Sequence, residues 1–126
     1  TLTFDKTRRG FFTVMGVSIE QAVRGLTDAG ADILGSNCGN GIEIMVDIAH
    51  EFRARTDRPI AIQSNAGLPE QRGGEIVYPE EPEFMAAKAA TLVELGVTLI
   101  GGCCGTTPAH IRAIRRVVDS HRGKAM

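Results

Sequence analysis

Apolar positions in this chain switch between two spacings. Short apolar-rich runs at residues 31–38, 59–64 and 97–100 read as strands, and between them Ala22, Val23, Leu26 and Ala29, then Ile44, Ile48 and Phe52, recur at helical spacing. Residues 2–4 form a first short strand, followed by a loop over 10–16. Ser18, with Gln21 three residues on, caps a helix that stops at Gly30, and Asn40, with Glu43, caps a second. The third strand leads into a polar, glycine-rich loop running through Gly73-Gly74 to Tyr78. Pro82 fits the first turn of a helix closed by Gly96. Thr107 caps and Pro108 starts the last helix, with Ile111, Ile114 and Val118 on one side, and residues 124–126 read as a frayed tail.

Four successive βα units demand a parallel sheet with helices outside, because right-handed crossovers return each strand parallel to the last. An open doubly wound sheet and part of a (β/α)8 barrel both meet that demand. The barrel accounts for more: Asn37, Cys38, Asn65, Cys103 and Cys104 all fall just past the C-terminal ends of three strands, and a closing sheet gathers those ends around one centre. Such a barrel takes about 250 residues, so these 126 residues supply half of one, with two sheet edges that another segment or chain must cover.

Composition narrows the partners. A net charge of −1 and a pI of 6.3 offer no basic field for nucleic acid or an anionic membrane surface, and a small ligand is expected instead. No apolar run approaches the roughly 20 residues of a membrane span, and no leader-like segment precedes the first strand, so a cytoplasmic protein is expected. Three cysteines, an odd number, fit reduced thiols or metal ligands better than a secreted disulfide framework.

The adjacent pair Cys103-Cys104, within Gly101-Gly102-Cys103-Cys104-Gly105-Thr106-Thr107-Pro108, is the sharpest chemical signal. Neighbours in a strand point to opposite faces, so the chain must turn there for both sulfurs to face one point, and the flanking glycines allow it. With Cys38, the pair offers three thiolates to Zn²⁺ and leaves a fourth position open, the mark of a catalytic site. The competing readings are buried apolar thiols, a vicinal disulfide in a redox-active domain, and a structural Cys₃His zinc using His50, His110 or His121. The histidines fall on helices away from the strand mouths, where surface exposure is their usual fate. Gly39-Asn40-Gly41 reads either as a tight turn or as an anion contact at a helix N-terminus. The acidic run Glu80-Glu81-Pro82-Glu83 reads as structural, since acids favour the first turn of a helix.

Gly-Ser-Asn-Cys at 35–38, Ser-Asn-Ala-Gly-Leu-Pro at 64–69 and Gly-Gly-Cys-Cys-Gly-Thr-Thr-Pro at 101–108 together resemble the homocysteine S-methyltransferase family. The resemblance implies an α/β fold whose parallel βα repeats form the second half, the last four βα units, of a (β/α)8 TIM barrel, with residues 1–126 as one partial homocysteine-binding domain. It implies Cys38, Cys103 and Cys104 as ligands of Zn²⁺, and Asn65 beside the bound amino acid. Asn37 matches the asparagine before the first zinc cysteine, with a substrate contact and a strand-end role both open, and Gly39 lies where a contact to the homocysteine carboxylate is possible. The implied activity is transfer of a methyl group from a small donor to the thiol of homocysteine, giving methionine, with the zinc-bound thiolate as nucleophile. Betaine, methylfolate through cobalamin and S-methylmethionine all stay open as donors. The rival is a non-catalytic zinc- or thiol-binding module, or a subunit of a corrinoid methyltransferase system. A chain beginning at Thr1 and lacking the family's N-terminal half is expected to be a fragment of a longer enzyme, or a natural half barrel completed by a homo-oligomer or a complementary chain.

Overall fold

A computed structural model describes residues 1–124 of the chain. In chain order it holds β1 (Asp5–Thr7), β2 (Gly10–Phe12), α1 (Ile19–Asp28), β3 (Leu34–Cys38), α2 (Ile42–Arg55), β4 (Ile60–Ser64), β5 (Glu70–Arg72), β6 (Glu75–Val77), α3 (Pro82–Glu94), β7 (Leu99–Gly102) and α4 (Pro108–Lys124). The central sheet is parallel with order β3-β4-β7. It is the mixed α/β arrangement that repeating βα units require. The expected first strand is reduced to a single parallel bridge, Leu2 to Ser36, held by Leu2 N–H to Gly35 C=O at 3.1 Å and Asn37 N–H to Leu2 C=O at 3.1 Å.

Two loops of the sequence reading are hairpins instead. β1 pairs with β2, and β5 with β6 around Gly73-Gly74, whose φ values of 56° and 83° suit the tight turn that matches the twist of paired strands. Residues 124–126 were expected as a tail; Lys124 closes α4, and the last two lie outside the described residues.

Alternation along the strands sets the core. Leu34, Ile60 and Ile62 are buried against Met45, Ile48 and Phe52 of α2, Met85 and Leu92 of α3, and Ile114 of α4. The intervening positions, with Gly35 beside Ala61 beside Leu99 in one row and Asn37 beside Gln63 beside Gly101 in the next, share the other face, where Gln63 and Leu99 are exposed. One sheet face is therefore sealed by helices, and the other is exposed at Gln63 and Leu99 while Gly35 and Ala61 on it are buried. Among the described residues no strand pairs with the outer edge of β7.

Helix starts follow local chemistry at α1, where Ser18 and Gln21 form the expected capping box. The N-cap of α2 is Gly41 rather than Asn40, with no cap from its own side chain. Its first free N–H, on Ile42, is bonded by Glu80 Oε1 at 3.0 Å from 38 residues away. Asn40 is thus not the cap, and a distant carboxylate serves the N–H that opens the helix.

Candidate metal centre

Sheet register gathers the site. Cys38 pairs with Ser64 and Ser64 with Gly102, so the last residues of β3, β4 and β7 lie in one row. Asn65 and Cys103-Cys104 then leave the sheet at the same level, at its C-terminal edge, where parallel sheets assemble their sites.

Each arm is turned by local geometry. Cys38 has φ 59°, the one positive value among the described non-glycine residues, a conformation that costs about 1–3 kcal/mol and persists only where its surroundings enforce it. On the other arm, Cys103 N–H donates to Ser64 C=O at 2.7 Å, and the N–H and Oγ1 of Thr106 donate to Cys103 C=O at 3.2 and 2.7 Å. These bonds make the turn that two adjacent ligands require. Of the flanking glycines only Gly105 has positive φ, so Gly101 and Gly102 contribute no left-handed backbone to it.

The three Sγ atoms lie within 4.8 Å of one another, and Cys38 Sγ is 3.8 Å from Cys104 Sγ. With a Zn–S length of about 2.3 Å, a tetrahedral edge measures about 3.8 Å, so the donor set fits three corners of a zinc tetrahedron. All three thiols are unbridged, and Cys104 is exposed while the other two are half-buried. Neither a vicinal disulfide nor inert buried packing describes them. The histidines stay outside the cluster: His50 is exposed, and His121 Nδ1 bonds Val117 C=O at 3.0 Å. His110 is buried rather than on the surface. Its Nδ1 accepts Thr107 N–H at 3.1 Å, so Nε2 carries the proton that it donates to Glu80 C=O at 2.7 Å.

Asn65 joins the two arms. Only 4% exposed, it donates from Nδ2 to Gly39 C=O at 3.5 Å and accepts Cys104 N–H on Oδ1 at 3.0 Å. Asn37 is used differently: its Oδ1 accepts Thr1 Oγ1–H at 2.7 Å and its C=O accepts Thr3 Oγ1–H at 3.0 Å, contacts that tie the N-terminal segment to the end of β3.

The thiols are electrostatically unequal. Burial works to raise Cys38, but the Gly39 N–H and hydrogen bonds with Cys104, Cys103 and Asn65 outweigh it and hold Cys38 below the ordinary thiol value. Cys104 is raised, by its hydrogen bonds to Cys38 and Cys103 and then by their charge. Cys38 is the readier thiolate.

Glu80, His110 and Tyr78 carry roles that local sequence patterns did not show, because their partners lie in other loops. Burial raises Glu80 above the ordinary carboxylate range, with Glu43 adding to the rise, while Ile42 N–H and His110 oppose it. A raised folded-state value means that the neutral form is favoured on folding. That contribution is present at acid pH, below the unfolded carboxylate value, and is lost as pH rises through the folded value. Glu80→Gln should therefore match the parent in acid and gain stability relative to it toward neutral pH, as urea unfolding at pH 4 and pH 7 would show. A gap that narrows with rising pH would contradict this sign.

The chain matches the homocysteine S-methyltransferase family over residues 1–118. It is 36% identical over 106 residues to a methionine synthase of Mycobacterium tuberculosis (strain ATCC 25618 / H37Rv) and 35% identical over 106 residues to one of Mycobacterium leprae (strain TN). Each match covers 83% of this chain and 9% of the relative's length.

Proposed function

This chain belongs to the homocysteine S-methyltransferase family, and on that premise we propose that it forms the thiol-activating part of a methyltransferase that converts homocysteine to methionine. The observation that carries the reading is the convergence of Cys38, Cys103 and Cys104 from two strand ends to within 4.8 Å. These three residues would hold Zn²⁺ with a fourth position left for the substrate thiol. When bound, the ion makes a coordinated thiol a thiolate at neutral pH, and the thiolate is the form that attacks a methyl group.

The chain's own residues prepare that chemistry. Gly39 N–H and Asn65 favour the thiolate of Cys38, and Asn65 keeps the two cysteine arms in register. Asn37, Gly39 and Asn65 border the cysteines and are the proposed contacts for the amino-acid end of homocysteine. A small methyl donor would approach over the exposed Cys104.

The same reading takes residues 1–126 as half of a (β/α)8 barrel. Supporting it are the edge of β7, unpaired among the described residues, and a groove of about 360 Å³ beside it, lined by Leu99, Ile100, Ile111, Ile114 and Val118. An N-terminal half barrel, from a longer chain or a second copy, would cover both. Among the described residues no helix is long and apolar enough to cross a membrane, and a cytoplasmic setting suits thiols that must stay reduced.

X-ray absorption at the zinc edge tests the proposal. One zinc per chain with three sulfur neighbours, rising to four when homocysteine is added, is the expected result. An unchanged sulfur count would overturn the open position, and zinc binding without methionine formation in the completed barrel would leave a binding module instead.

A further inference from the structure

We propose that the segment Tyr78-Pro79-Glu80 is a strap that sets the spacing of the cysteine arms, with Glu80 as its positioning residue; this rests on the thiol cluster being a metal site. The strap touches all three loops that build the cluster, and at each contact the loop presents a glycine. In the Cys38 loop, a Cβ on Gly41 would lie 2.9 Å from Glu80 Cδ. In the Asn65 loop, a Cβ on Gly67 would lie 2.9 Å from Pro79 Cγ and 3.1 Å from Glu80 Cγ. In the Cys103-Cys104 loop, a Cβ on Gly105 would lie 2.6 Å from Tyr78 Cβ. Real Cβ atoms essentially never come within 3.0 Å, so a side chain at Gly67 or Gly105 would press on the Pro79 ring or on Tyr78, whereas one at Gly41 would make the flexible Glu80 carboxylate swing aside from Ile42 N–H.

Hydrogen bonds fasten the same three points. Glu80 Oε1 accepts Ile42 N–H at 3.0 Å, at the start of α2 and four residues past Cys38. Glu80 N–H donates to Ala66 C=O at 3.0 Å, one residue past Asn65. Glu80 C=O accepts from His110 Nε2 at 2.7 Å, and His110 Nδ1 in turn accepts Thr107 N–H at 3.1 Å, three residues past Cys104. One residue thus bonds, directly or through His110, to every loop that carries a ligand or its bridging asparagine. The cysteine arms are also joined by Asn65, by the sulfurs themselves and by β4 with its following loop, where Cys103 N–H bonds Ser64 C=O at 2.7 Å and Ala66 N–H bonds Cys104 C=O at 2.9 Å. Groups that orient metal ligands from behind typically change affinity by about 10- to 100-fold when removed.

The test uses Glu80→Ala, Glu80→Asp and Glu80→Gln. Glutamine keeps an Oε1 acceptor of the same reach, whereas aspartate keeps the charge but is one carbon short of Ile42 N–H. Co²⁺ titrations, followed by the thiolate charge-transfer and ligand-field bands, should show glutamine within about threefold of the parent, and alanine and aspartate weakened by about 10- to 100-fold. A metal-free readout accompanies this: the yield of the Cys38–Cys104 cross-link after brief diamide oxidation, by peptide mapping, should fall in the alanine and aspartate variants and hold in the glutamine variant. Parent-like affinity and cross-linking in both shortened variants overturns the strap. So does a glutamine variant as impaired as alanine, since charge rather than reach would then be at work. If the parent takes up no Co²⁺ while cross-linking still follows the predicted order, the strap stands and the metal reading fails.

Discussion

Cys104→Ala should strip zinc from the protein while leaving its fold intact. Zinc in four-ligand peptides is bound with roughly 10–16 kcal/mol, so one thiolate is worth about 2.5–4 kcal/mol and its loss about 10²–10³-fold in affinity. Among the described residues no substitute donor joins Cys38, Cys103 and Cys104 in the cluster, and both ring nitrogens of the buried His110 are engaged elsewhere. Cys104 is also exposed, so its truncation opens no cavity and should change metal-free stability by no more than about 0.5 kcal/mol. Zinc per chain, measured against a chromophoric chelator, should fall from one toward none. A variant that kept its full zinc at parental affinity would remove Cys104 from the site and the three-thiol proposal with it.

Phe52→Ala should cost about 3–5 kcal/mol. Phe52 is fully buried on α2, and its ring meets Phe4 edge to face at a centroid distance of 5.8 Å and 76°. The pair fastens the N-terminal segment, which meets the sheet through one backbone bridge and the Thr1 and Thr3 contacts to Asn37, to the helical layer. A domain stabilised by 5–15 kcal/mol overall would lose a large share of that, and the urea midpoint should drop accordingly. Leu99→Ala, at a position 51% exposed on the sheet face it shares with Gln63, should cost less than about 1 kcal/mol and serves as the contrast. Equal losses at the two positions would mean that the core is not where the burial places it.

The two predictions differ in how far they could be read from the residues. Phe52 stood out from its spacing with Ile44 and Ile48, while its partner Phe4 did not, because nothing local says which face of a short strand meets which helix. The hairpin around Gly73-Gly74 was legible in principle: two glycines between short polar and β-prone runs are the signal for a tight primed turn. The hairpin of β1 and β2 carries no such signal, since its connecting residues are Arg8 and Arg9. Asn40 failed as a cap for a different reason. The rule that selects asparagine before a helix is a statement about neighbours, and here Glu80 serves the N–H that opens the helix from another loop.

Taken alone, the sequence determined the order of the three central strands and the four helices, the parallel sense of the central sheet and the placing of Asn37, Cys38, Asn65, Cys103 and Cys104 at strand ends. Those properties follow from periodicity and turn chemistry within a few residues of each position. Tertiary structure decided the 3.8 Å between Cys38 and Cys104, the bridge made by Asn65, the burial of His110 and the three-point contact of the Tyr78-Pro79-Glu80 strap. Each of these joins residues 12 to 66 positions apart, or buries one against another, and depends on strand register and backbone approach. The energy of such contacts is shared between distant segments, so no local pattern of residue types carries it.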